Sequence, residues 1–101
     1  QFFKLGSMML FVLICEDHPD SFELRQQVRP EHLTFLADYD VRFAGPMLSD
    51  DEESMVGSVI VIEAENLPAA QNFAAQDPYN LAGLFANVTV KPFKQVIPNA
   101  Q

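Results

Sequence analysis

Positive charge is scarce in this 101-residue chain: six lysines and arginines stand against fourteen aspartates and glutamates, for a net charge of −8. Such a surface repels a polyanion, and no basic run offsets it, which argues against nucleic-acid binding. A small anionic ligand is not excluded, because local arginines can dominate a pocket. The chain has no tryptophan and a single cysteine, Cys15. One cysteine allows no internal disulfide and fits a reducing, cytoplasmic compartment. Long hydrophobic runs are missing too. The longest, MMLFVLIC (8–15), has eight residues, where a membrane-spanning helix needs roughly 20, so a soluble protein is expected. Neither a glycine-rich phosphate loop nor a nucleophile elbow is present.

What is present is a core. The chain is 49% hydrophobic with nine phenylalanines, enough for one domain and too little for a second. Residues 1–7, QFFKLGS, read as a non-native remnant of expression outside the fold, with Met8 as the expected native start. A signal peptide is the alternative reading, but no small-residue cleavage site follows Lys4 and its apolar neighbours. The single domain is expected over 8–97, with 98–101 as a C-terminal tail.

The pattern predicts a strand over 8–15, then a helix over 20–28 opened by a capping box of Asp20 and Glu23. Pro30 is expected to interrupt this helix, and 30–39 to form a second helical piece with Leu33, Leu36 and Ala37 facing inward. Residues 41–47 read as a strand broken at Gly45-Pro46, 48–54 as an acidic loop, and 57–64 as a third strand. An alanine-rich helix over 66–76 and a strand over 85–93 complete the order β-α-β-β-α-β. That order is the ferredoxin-like split βαβ arrangement, an α+β fold with a four-stranded antiparallel sheet and both helices on one face. LFVLI (10–14) and VIVI (59–62) do not alternate apolar with polar, so both faces of the sheet need cover. A second copy of the chain is the expected cover, giving a barrel-like homodimer. The alternative cover is the C-terminal tail.

Few residues are equipped for chemistry. His32 lies in RPEHLTFL (29–36), where Arg29, His32 and Leu36 share a helical stripe that Arg25 joins if the helix is unbroken. A histidine flanked by arginines suggests a polar site for an anion; a surface histidine on an amphipathic helix is the other reading. Asp77 in DPYNLAGLF (77–85) is a favoured N-cap before Pro78, and by itself needs no further role. Tyr79 fits either a ligand stack or the edge of the core. Gly45-Pro46 and Gly57-Ser58 flank the loop between the second and third strands and suit either a pocket wall or plain hairpin geometry. Arg42 and Glu63 read as solvated charges at strand ends. CEDH (15–18) lacks the paired spacing of a structural zinc site, and no metal is expected there.

Taken in order, RPEHLTFL, AGPM, GSVIVIEA, DPYNLAGLF and VTVKPF resemble the YciI-like family of small bacterial proteins over essentially all of 8–97. The resemblance implies a dimeric α+β barrel, related in architecture to muconolactone isomerases, with a pocket holding a His–Asp pair. That pair maps onto His32 and Asp77, and Arg25, Arg29, Gly45, Pro46, Ser58, Pro78 and Tyr79 fall in matching motifs as candidate pocket residues. The implied activity is cofactor-independent proton transfer, as in a dehydrochlorinase-like lyase or an isomerase, on a small cyclic or aromatic polar substrate. The rival expectation is a non-catalytic dimeric module that binds a small anion or a protein partner, with Asp77 only a cap.

Overall fold

A computed structural model describes residues 9–99; residues 1–8, on which the expected native start falls, and 100–101 lie outside the described residues. Four strands, β1 (Met9–Asp17), β2 (Val41–Leu48), β3 (Met55–Ala64) and β4 (Phe85–Phe93), form one sheet in the order β2-β3-β1-β4. Every neighbouring pair is antiparallel, with Leu13 opposite Ile60 and Val90 across the centre. Together with helices α1 (Phe22–Leu36), α2 (Leu67–Gln76) and the one-turn α3 (Pro78–Leu81), the chain order is ferredoxin-like.

The most apolar strands, β1 and β3, take the two central positions, and proline goes to the edges. Pro46 on β2 lacks the N–H that a strand flanked on both sides would use, and an edge strand can spare it. For that reason β2 is not broken at Gly45-Pro46 as predicted; it continues to Leu48, with Pro46 opposite Ser58. Residues 55 and 56 also join β3, earlier than their polar neighbours suggest.

The first helix departs most from expectation. Instead of two pieces, α1 runs unbroken from Phe22 to Leu36 with Pro30 inside it. An interior proline costs about 3 kcal/mol because it removes one helical hydrogen bond and crowds the preceding turn. Here Pro30 and Gln26, whose carbonyl loses that bond, are both exposed, so water can serve the freed group. The predicted capping box also does not form. Ser21 is the N-cap without a side-chain cap bond, and Asp20 sits before it in the left-handed region. An unbroken helix turns a different stripe inward: Arg25, Val28 and His32 are buried, whereas Leu33 and Ala37 are exposed and Leu36 is only partly covered.

Helix α2 follows prediction, with the Asn66 side chain accepting from the Ala69 N–H and Pro68 in the first turn. Asp77 ends it, then caps α3. Helix α3 closes in a Schellman motif: the Leu84 N–H reaches the Tyr79 carbonyl, and Gly83, at φ 79°, reaches Asn80. Thus DPYNLAGLF is a helix of one turn capped at both ends, and its two apolar anchors, Tyr79 and Leu84, are buried.

Both long helices pack on the same face of the sheet. Phe11, Leu13, Cys15, Ile60 and Ile62 from the strands meet Val28, Ala70, Phe73 and Ala74 from the helices in one core. On the outer face, Leu10, Val12, Ile14 and Val59 are half covered and Phe43 is 60% exposed. Arg42 and Glu63 are ion-paired rather than separately solvated.

Candidate active site

Because α1 is continuous, His32 points under the helix toward the short α3 turn. Its Nδ1 lies 2.8 Å from Asp77 Oδ1, and both side chains are buried. The same Asp77 oxygen accepts the Tyr79 backbone N–H at 2.9 Å. A carboxylate opposite Nδ1 makes that nitrogen the donor and leaves Nε2 with its lone pair as the ring's second functional atom. The Tyr79 ring stacks on the imidazole, with centroids 3.9 Å apart and planes inclined by 17°. Burial holds the Tyr79 phenol above its ordinary range against the pull of Arg25 and Arg29, so it remains a neutral hydroxyl at pH 7.

Two turns before His32, Arg25 is also buried. Its Nε and Nη2 donate to the two carboxylate oxygens of Asp17 at 2.8 and 3.0 Å, and Nη2 also donates to Ser58 Oγ at 2.9 Å. Burial alone would pull the guanidinium down; the hydrogen bond and charge of Asp17 outweigh that and hold it above its usual value. The Arg25 Cζ sits 4.6 Å from the centre of the Tyr79 ring.

These groups share a cavity of about 150 Å³ between α1 and the β2–β3 edge. Arg25, Arg29, His32, Ser58 and Tyr79 form its polar wall; Leu33, Leu36, Ala44, Pro46, Met55 and Ile60 form its apolar wall, with Gly45 contributing backbone. Arg29 is exposed and, among the described residues, enters no ion pair. It is therefore the uncompensated positive charge of the cavity.

Of the residues singled out from sequence, Arg25, Arg29, His32, Gly45, Pro46, Ser58 and Tyr79 line this one cavity. Asp77 stands behind His32 rather than in the cavity wall, and Pro78 serves as the first residue of α3. Asp17 was missed. Its signal was present: it continues the inward alternation of Leu13 and Cys15 and lies just before the helix that carries Arg25. Weighing CEDH only against metal-site spacing, which it lacks, left that relation unread. Among the described residues, no group of three or more His, Cys, Asp or Glu is placed to hold a metal ion. Cys15 is a buried thiol, pushed up to about 12 by burial first and by the Asp77 charge second. Broader hollows lie between α2 and β4 and beside the acidic 49–51 loop, away from His32.

Comparison with known proteins finds relatives of this chain in sequence and in fold. The protein YciI of Escherichia coli is 41% identical over 97 aligned residues, covering 87% of this chain and 99% of its own. Among solved structures, 5-chloro-2-hydroxyhydroquinone dehydrochlorinase (TftG) from Burkholderia phenoliruptrix, in complex with 2,5-dihydroxybenzoquinone, is 33% identical with a TM-score of 0.77. The match covers 85% of this chain and 94% of TftG. A dimeric protein of unknown function and ferredoxin-like fold from Bacteroides fragilis shares the fold alone, at 13% identity and a TM-score of 0.51 over 93% of this chain and 100% of that one. The sequence profile of the YCII-related domain matches residues 9–94, nearly the whole described chain, and to that family this protein belongs.

Proposed function

We propose that this protein is a cofactor-independent acid–base enzyme of the lyase type, with a dehydrochlorinase-like elimination as the favoured reaction and isomerisation as its close variant. The observation that carries this reading is the buried His32–Asp77 pair, which leaves Nε2 of His32 as a base beside a cavity with an uncompensated arginine. In an elimination, Nε2 takes a proton from a C–H or O–H of the substrate. The electron pair left behind forms a new π bond, and the carbon–halogen pair departs with the halide. Asp77 stabilises the imidazolium that forms, and a positioned pair of this kind supplies typically about 10²- to 10⁴-fold. Arg29 attracts an anionic oxygen or the leaving halide. Every group such a proton transfer requires is a side chain of this chain.

Cavity size supports a narrow substrate class. A void of about 150 Å³ accommodates a benzene-sized ring, and the apolar wall opposite Arg29 and His32 suits the face of one ring carrying polar substituents. TftG, bound to a one-ring dihydroxyquinone, is consistent with this. We further propose that a second copy covers the apolar outer face of the sheet, and that the protein works in the reducing cytoplasm, as its unpaired cysteine suggests.

Chloride release from a chlorinated hydroxyhydroquinone tests the reading directly. Wild-type protein should release chloride, and His32→Ala should lower the rate by about 10²-fold or more. Stoichiometric binding of 2,5-dihydroxybenzoquinone without any turnover would leave a binding module instead.

A further inference from the structure

We infer that Asp17, which lines no part of the cavity, is a positioning residue: acting through Arg25, it fixes the Tyr79 and His32 rings and the Ser58 hydroxyl. This rests on the reading of His32 as the base of the cavity. Asp17 sits at the end of β1 and grips Arg25 in a two-pronged fork at 2.8 and 3.0 Å, with both side chains almost wholly buried. A buried ion pair is a poor device for stability alone, because the desolvation of both charges consumes most of their attraction. Its value here is directional. A guanidinium held at Nε and Nη2 cannot rotate, and an ammonium could not form the same fork.

Held in this way, Arg25 does two things. It lies against the Tyr79 ring, which in turn stacks on His32. His32 is thereby fixed in its ring plane by Tyr79 and in its tautomer by Asp77, two constraints from the N-terminal end of α3. Arg25 Nη2 also donates to Ser58 Oγ, which occupies that oxygen as an acceptor and frees its hydrogen to donate elsewhere. Since Asp17 compensates the charge of Arg25, the two arginines divide their labour: Arg25 positions, and Arg29 meets the ligand.

The test reads ring geometry in the full chain without substrate. A ring stacked on Tyr79 should show upfield-shifted His32 ring protons by NMR. Exposed His18, the only other histidine, supplies the reference. In Asp17→Asn the His32 signals should move toward the His18 position while the Ile60 and Ile62 methyl signals stay in place. Arg25→Lys keeps a positive charge opposite Asp17 but cannot form the fork, and should give the same movement. It also provides the reading if Asp17→Asn fails to fold. His32 signals unchanged in a folded variant would overturn the proposal and leave the pair as a tie between β1 and α1. Because no substrate is involved, a failed chloride-release assay would sink the enzymatic reading without touching this result.

Discussion

One oxygen of Asp77 accepts two donors, the Tyr79 backbone and the His32 ring, so its roles as cap and as partner of His32 are compatible in a single rotamer. The buried charge is felt by its neighbours. Asp77 adds to burial in driving the Cys15 thiol up to about 12, which leaves Cys15 protonated and unreactive at neutral and mildly alkaline pH. Iodoacetamide should therefore not alkylate the folded protein in mildly alkaline buffer, yet should modify Cys15 fully in denaturant. Rapid modification of the folded chain would contradict this environment. The linkage follows in sign: above about pH 9 the unfolded thiol ionises first, so this group's contribution to stability is lost as pH rises toward 12. At this scale His32 and Asp77 were legible only through their motifs, since a lone histidine and a lone cap are each ordinary. Asp17 was not recognised, because a bidentate partner is defined by a contact between two elements, and sequence spacing shows each element alone.

Among the elements, α1 decides the geometry. A break at Pro30 would have allowed Arg25 and His32 to face different ways; a continuous helix puts them two turns apart on one buried stripe with Val28. Local propensity argued for the break. Packing of that stripe overrode it, aided by the exposed position of Pro30, where the lost hydrogen bond can be replaced by water. The strand pattern was more readable. Apolar runs at 10–14 and 59–62 were read as strands, and both prove to be central; the βαββαβ order of elements implied the ferredoxin-like fold class. Exact ends were less so: β2 passes through Gly45-Pro46 because edge position, a tertiary fact, removes the objection to proline. The start of the α3 turn was legible from Asp77-Pro78; its close at Gly83, in the left-handed region, was not read from the sequence.

The molecule as a whole has one covered and one incompletely covered sheet face. The helices close the inner face, whereas Phe43 and Phe93 remain substantially exposed on the outer one. The C-terminal tail does not seal it with its own apolar residues, for Val96 and Ile97 are 66% and 88% exposed. A second copy is the cover that uses no other partner, and light scattering at micromolar concentration should give about twice the chain mass. A monodisperse monomer would contradict that pairing. The central claim is narrower: Asp77 holds His32 in the tautomer that leaves Nε2 as a base. Multiple-bond ¹⁵N NMR of the wild-type protein in mildly alkaline buffer reads this directly. The account predicts that His32 carries its proton on Nδ1, with Nε2 bare; a proton found on Nε2 would contradict it.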